Sequence, residues 1–537
     1  MSRIPRITAD GRGLQLAGLV ALALGQAVAG GATALGVSAA FGALRAPVGD
    51  LPVAALTIIA GSALVLAGFR AAEAVLAEHV GQKYAAAVRE RLFLHISRMP
   101  VGAMRGKRNG ALSLRFVGDL TAIKSWVSGG IARLVSAAVT IPAMLLVLYW
   151  LAPVLALATL GPILFTLLFY ILMRAPLGAA HAALRKRRAH MASDLAERLP
   201  QGIALRRFGR LRIERRALAG HSAAVTQAAG KRALLAGLVR AAPDAASGLT
   251  VALVLWVAML RGIDLPETAA ALTALGLIVR PLRQLAGVSD KRQAWIVATG
   301  NLRRALNAPR MAATRSGRGA KKPDPESPAL ELKAVRLHDG GELSASIDLG
   351  ETVAVIGAPG AGKSRLLMVA AGLDAPESGS ARVFGMKPTE PAPGSVLYLG
   401  PAAPMLRGSL RRDAMIGVDP MPSDPDILQA ISRAGLDGLC ARIGGLDGKV
   451  AEGRRNLTAS ETARLHVVRG LLSKARLALV DADEIGLDAS MCTLLLEHFK
   501  ANGTTCLLAT SSRRVLDQLG STLALPAPPV DVADNAA

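Results

Sequence analysis

Residues 353–371 read Val353-Ala354-Val355-Ile356-Gly357-Ala358-Pro359-Gly360-Ala361-Gly362-Lys363-Ser364-Arg365-Leu366-Leu367-Met368-Val369-Ala370-Ala371. Gly357 to Ser364 fit G-x-x-x-x-G-K-[ST] at every fixed position. An apolar, strand-like run precedes them and a helix-like run follows. Phosphate binding demands that order. Glycines let backbone N–H groups close around phosphate oxygens without a clashing Cβ. The start of a helix adds a favourable partial positive charge. In such a loop Lys363 reaches the β- and γ-phosphates of a nucleotide, and the Ser364 hydroxyl ligates Mg2+. A chance glycine-rich turn is the competing reading, and the flanking strand and helix argue against it. Further on, the apolar run Leu477-Ala478-Leu479-Val480 ends in Asp481. A carboxylate at that place holds Mg2+ through water in P-loop proteins; the plainer alternative is an ordinary acid at a strand end.

Upstream the chain has a different character. Of its 537 residues, 52% are hydrophobic, and the mean hydropathy of +0.39 is too high for an ordinary soluble protein. The excess lies in the first 300 residues. A membrane helix needs about 20 apolar residues, and six stretches qualify: 14–44, 51–80, 126–151, 154–173, 234–260 and 265–285. The first is too long for a signal-peptide core and reads as a spanning helix. The last two are interrupted by Arg240, Asp244 and Arg280. Charges within a span face a cavity or the bundle interior, or else snorkel or pair.

The net charge of +24 admits nucleic acid as a partner, but aromatic content of 3% disfavours base stacking. Much of the excess Arg and Lys falls in two segments, 82–124 and 174–232, between apolar runs. The positive-inside rule puts both segments, and both termini, in the cytosol. Each segment also has helical periodicity, which predicts spanning helices that run well beyond the bilayer. The lipid bilayer is thus the expected partner, and nucleic acid is not. The Arg/Ala-rich composition suggests a bacterial source and hence an inner (cell) membrane protein. The three cysteines, Cys440, Cys492 and Cys506, have neither CxxC spacing nor a nearby His cluster and read as reduced thiols.

These readings divide the chain into a membrane domain over 1–307, a Pro/Gly-rich charged linker over 308–328, a nucleotide domain over 329–524 and a disordered tail over 525–537. The expected fold is multi-domain: an all-α six-helix transmembrane domain, then an α/β P-loop NTPase domain.

Several further stretches resemble the ABC exporter family, and the likeness covers most of the chain. GLDAPESGSARVFG is similar to the family's GL-x-x-P-x-S-G stretch, and VLYLGPAAPMLRGSLRRDAMIG to its Q-loop region. NLTASETARLHVVRGLL resembles the signature helix, and LALVDADEIGLD resembles Walker B and the D-loop, with Asp488 seven residues after Asp481. ERLFLHISRMPVGAMRGKRNGALSLRFVGDLTAI and LAERLPQGIALRRFGRLRIERRAL resemble the two intracellular loops, whose short coupling helices touch the nucleotide domain in that family. The resemblance implies ATP and Mg2+ as cofactors. It assigns Gly357, Ala358, Pro359, Gly360, Ala361, Gly362, Lys363 and Ser364 to ATP, Ser364 and Asp481 to Mg2+, and Leu457, Thr458, Ala459, Ser460 and Glu461 to the signature. Six helices with one nucleotide domain make half a transporter, so the expected partner is a second ABC half-transporter.

The departures from the family bear on chemistry. Pro401 stands at the Q-loop glutamine, Ala482 at the carboxylate that orients the attacking water, and Ser511 at the switch histidine. The adenine-stacking aromatic is missing, with His338 and Asp339 nearby. Asp483 or Glu484 substitutes for the lost carboxylate only if the strand ends later, since a one-residue shift reverses which side a strand residue faces. Thr458 and Glu461 also fit a capping box, S/T-x-x-E, which would satisfy the helix's own N–H groups. Ser460 and Glu461 add bulk and negative charge where glycine normally admits a phosphate. ATP binding and hydrolysis are therefore expected to separate, and a heterodimer with an intact partner is favoured over a homodimer. The alternative is a nucleotide-binding regulatory or structural subunit without turnover.

Overall fold

A computed structural model of the chain describes residues 4–44, 52–105, 118–312, 324, 326–337, 341–405 and 407–526. Most of the expected linker, nearly all of the expected tail, and His338 and Asp339 lie outside the described residues. Two compact units emerge. One comprises Met1–Leu94 and Asn109–Asn307; the other comprises His95–Arg108 and Ala308–Ala537.

Among the described residues, six helices of the first unit are long and apolar enough to cross a membrane: Arg12–Ala43, Val53–Ile96, Leu120–Leu151, Pro153–Arg207, Leu211–Arg261 and Leu265–Leu306. At 1.5 Å per residue the 51-residue fifth helix is about 77 Å long. A bilayer core is only about 30 Å thick. The helices thus extend well past any membrane, as the two basic segments lead one to expect. The third and fourth helices meet where Ala152 leaves helical geometry (φ −152°, ψ 88°) and Pro153 starts the next helix. The fifth ends at Gly262 in the left-handed conformation (φ 62°). Helices one, three and six pack together, and four packs along five. Within the third helix, Val127–Ile131 (Val-Ser-Gly-Gly-Ile) form a π-helical turn.

The second unit is built on a parallel sheet of order β10-β3-β9-β8-β5. Its strands are β3 Thr352–Ile356, β5 Val396–Leu399, β8 Leu477–Asp481, β9 Thr505–Ala509 and β10 Ser521–Ala524. A smaller antiparallel sheet carries β1 Leu330–Arg336 between β2 Leu343–Ile347 and β4 Ser378–Val383. The period of two in a strand decides the layers. On β8, Leu477 and Leu479 join a core with Leu366, Leu367 and Val369 of the helix Lys363–Ala370. Ala478 and Val480 face the other way, against Val467, Val468 and Leu471 of the helix Ala459–Leu472. Strands buried on both faces read as the continuous apolar runs seen in the sequence.

His95–Arg108 belong to the second unit. The short helix Val101–Arg105 is fixed there by the Val101 N–H, which donates to the Leu373 carbonyl at 3.0 Å. A Cβ at Gly102 would stand 2.9 Å from Oδ2 of Asp374, so glycine permits this close approach. The second basic loop behaves differently. Its short helix Gly202–Arg207 leaves Leu199, Ile203 and Phe208 exposed.

Candidate functional site

Parallel α/β sheets bind ligands beyond the carboxyl ends of their strands. Four segments of interest leave the sheet there. The glycine loop follows β3, Pro401 follows β5, Asp481 ends β8, and Ser511 follows β9.

The loop takes the form its glycines dictate. Gly360 (φ +84°) and Gly362 (φ +94°) are left-handed, a conformation that side chains with a Cβ rarely adopt. Gly362 is the N-cap of the helix Lys363–Ala370 and supplies no side-chain hydrogen bond. The first N–H groups of a helix have no intrahelical acceptor. An anion placed there would find them ready to donate. The Lys363 ammonium donates to the Gly357 carbonyl at 2.8 Å, folding back across the loop it would share with a phosphate.

Asp481 lies on the same side of β8 as Leu477 and Leu479, which face the loop helix. It is 1% exposed, and its Oδ2 has no partner. Burial pushes its carboxyl up to about 6, with Glu484 and Asp483 adding to the rise. A hydrogen bond from Ser364, then the Lys363 charge, oppose it. A buried carboxylate beside a serine hydroxyl, with one oxygen unused, is an oxygen donor set of the kind Mg2+ takes. The residues present thus fit Mg2+.

The strand ends at Asp481, and a one-turn helix, Ala482–Ile485, begins at once. The position next to Asp481 is therefore the buried methyl of Ala482, 1% exposed. Asp483 is occupied elsewhere, because its Oδ1 accepts the Ser511 N–H at 2.9 Å. The strand does not run on to bring Asp483 or Glu484 into register. Pro401 is exposed and offers neither an N–H nor a polar side chain.

Leu457 to Glu461 form a closed cap. Thr458 is the N-cap of the helix Ala459–Leu472, its hydroxyl accepting the Glu461 N–H at 3.1 Å. The Glu461 carboxylate accepts the Thr458 N–H at 2.7 Å. It also pairs with Arg442 at 3.0 Å, the largest cause of its lowered pKa. Leu457 packs onto the core below. The two helix starts differ accordingly: that at Lys363 is uncapped by any side chain, and that at Ala459 is filled by its own. Asp488 caps the helix Ala489–Ala501, accepting from the Met491 N–H at 2.9 Å and the Ser490 hydroxyl at 2.6 Å.

The domain models agree with this anatomy. The family described as "ABC transporter transmembrane region" matches residues 33–265, and "ABC transporter" matches residues 341–483. The chain belongs to the ABC transporter superfamily. Membrane and nucleotide parts of this ABC half-transporter are fused in one polypeptide. Among curated relatives, the mycobactin import ATP-binding/permease protein IrtB of Mycolicibacterium smegmatis is 27% identical over 245 residues, 43% of this chain and 42% of that protein. The ATP-binding protein RamB of Streptomyces coelicolor is 33% identical over 30% of this chain and 28% of its own length. The glutathione/L-cysteine transport protein CydC of Escherichia coli is 31% identical over 29% of this chain and 27% of its own. Each match spans less than half of the relative. A solved bacterial Atm1-family ABC exporter with ATP bound shares the fold, with TM-score 0.79 at 17% identity over 96% of this chain and 94% of that one.

Several features of the ABC nucleotide domain were not legible beforehand. Asp413, Arg454 and Arg469 form a buried cluster, with Asp413 accepting from Arg454 at 2.9 Å and from Arg469 at 3.0 Å. They are far apart in sequence, and no motif joins them. His466, beside them, is buried and pushed down to about 3, by burial first and then by the two arginines. Arg365, directly after Ser364, pairs with Asp374 and Glu377. Of the charges noted within the spans, Asp244 pairs with Arg283 and Arg280 lines a cavity.

Proposed function

We propose that this chain is the ATP-binding half of a two-chain ABC exporter, and that a second, different half supplies the hydrolytic residues. The phosphates of ATP are held by the loop Gly357–Gly362, by Lys363 and by the N–H groups that open the helix Lys363–Ala370. Ser364 and Asp481 would hold Mg2+, which would supply charge neutralisation on the phosphate oxygens. ATP binding draws the two nucleotide domains together and shifts the membrane helices between inward- and outward-open states. Such a shift requires the closed state to bind ATP more tightly by a few kcal/mol. The cargo leaves the cell, and both termini stay in the cytosol of a bacterium with the chain in its inner membrane. The import named for the mycobacterial relatives belongs to those proteins.

One observation carries the separation of binding from hydrolysis: a buried carboxylate with an unused oxygen at Asp481, next to a buried methyl at Ala482. The donor set suits a metal ion, and the position directly after Asp481 carries no base to orient water. The exposed Leu199, Ile203 and Phe208 at the tip of the second loop support a partner chain, since apolar tips of this kind mark interaction surfaces. The capped helix at Thr458 favours a second reading as well, a regulatory subunit that binds ATP without turnover.

The test is purification of the tagged chain from its native membrane with whatever accompanies it, followed by Mg-ATP binding and hydrolysis assays. The expected result is binding that Lys363→Ala abolishes, and hydrolysis only in complexes containing the second half. Hydrolysis by the chain alone above the Lys363→Ala level would refute the division of labour. Binding without hydrolysis in every complex would establish the regulatory reading.

A further inference from the structure

The membrane unit contains a cavity of about 320 Å3 lined by its first, second, third and sixth helices. Its wall carries Arg70, Arg133, Arg280 and Lys291, against Glu73 and Glu78. The two carboxylates leave the wall with an excess of positive charge. Glu78 pairs with Lys124 at 2.6 Å, and Glu73 accepts from Gln26 at 2.5 Å. Among the described residues, no salt bridge holds any of the four cations. Charges taken from water into a protein interior cost several kcal/mol each unless something compensates them. Within membrane spans they are therefore rare and mark ligand pathways.

The wall is also shaped around one of these charges. The π-helical turn Val127–Ile131 carries Gly129, where an added Cβ would meet Nζ of Lys291. With alanine there the flexible end of Lys291 would have to swing aside. Single π turns inside α-helices recur at functional sites. Four cations outnumber the two carboxylates of the wall, which makes it a receptor for negative charge, and the arginine forks suit the planar pair of oxygens on a carboxylate or phosphate.

We propose that this cavity binds a small solute bearing carboxylate or phosphate groups, and that such an acid is the class of cargo the transporter carries; the proposal rests on the transport reading above. The shared chemistry, an oxyanion among arginines, also fits the headgroup of an anionic phospholipid.

The chain reports on the cavity itself. Trp126 adjoins the π turn and stacks on Trp295 at 5.6 Å, one helical turn beyond Lys291. All four tryptophans of the chain lie in the membrane unit. The full-length protein in phosphatidylcholine nanodiscs is titrated at constant ionic strength with succinate, with inorganic phosphate and with neutral succinamide. Tryptophan emission is the readout. Saturable changes are expected with succinate or phosphate and none with succinamide. Arg280→Gln and Lys291→Gln each weaken binding about ten-fold, the usual order for losing a charged hydrogen bond. Gly129→Ala, which displaces the ammonium without removing charge, weakens it as well. Arg133→Gln serves as a second cavity variant should any of these fail to fold. Nanodiscs containing one-fifth phosphatidylglycerol separate the sources: loss of the succinate response there assigns the cavity to a lipid headgroup and overturns the cargo proposal. No saturable response to succinate or phosphate, or equal responses from wild type and variants, overturns the site itself. Mg-ATP binding measured on the same sample keeps the outcomes distinct, since a chain that binds ATP but no acid refutes only this inference.

Discussion

Replacing Asp481 with Asn should make the nucleotide-free protein more stable. In the folded chain the Asp481 carboxyl is lifted from 3.8 to about 6, chiefly by burial. Between those values the folded state binds more protons than the unfolded one, so stability falls as pH rises through the window and is lowest above it. Each pKa unit carries about 1.4 kcal/mol, so the full rise corresponds to roughly 3 kcal/mol. An asparagine keeps a buried polar group, so the gain on removing the charge is on the order of 2 kcal/mol. For a domain of this size that raises the unfolding midpoint by about 4–8 °C. All three cysteines lie in the nucleotide unit and all are buried. A thiol-reactive fluorogenic dye on the full-length chain therefore reads the unfolding of that unit alone. The stabilisation by Asp481→Asn should be full above pH 7, shrink below 6 and vanish towards 4. Mg2+ should raise the wild-type midpoint and leave that of the variant unchanged. A variant at or below the wild-type midpoint at pH 7.5 without Mg2+ would show that the carboxylate is compensated, and the metal-site reasoning would fall.

Three other outcomes use the same dye. Asp413→Ala leaves the Arg454 and Arg469 guanidinium groups buried without their carboxylate and should cost about 3–5 kcal/mol; Asp413→Asn, which keeps one acceptor, should cost less. Thr458→Ala removes the hydroxyl that accepts the Glu461 N–H and should cost about 1 kcal/mol. A shift near zero would show that the Glu461 half of the cap suffices. Gly470→Ala places a Cβ 2.4 Å from Leu495 Cδ2, so overpacking of about 1–3 kcal/mol is expected.

The glycine loop was readable because its chemistry needs fixed residue types within eight positions. The six spans were readable because a bilayer accepts only long apolar helices. The capping box at Thr458 and Glu461 was equally local, three residues apart on one turn. The lost carboxylate was readable as Ala482, but its meaning depended on where β8 stops. The strand ends at Asp481, which puts a buried methyl directly after it and sends Asp483 to the Ser511 backbone.

Short-range periodicity and spacing encode the membrane helices, the glycine loop, the strand-end acid and the helix cap. Packing brought Asp413 to Arg454 and Arg469, Lys291 to Gly129, and four cations from three helices around one cavity. Those partners are separated by dozens to hundreds of residues. No local pattern specifies which side chains meet when packing, rather than chain order, sets the neighbours.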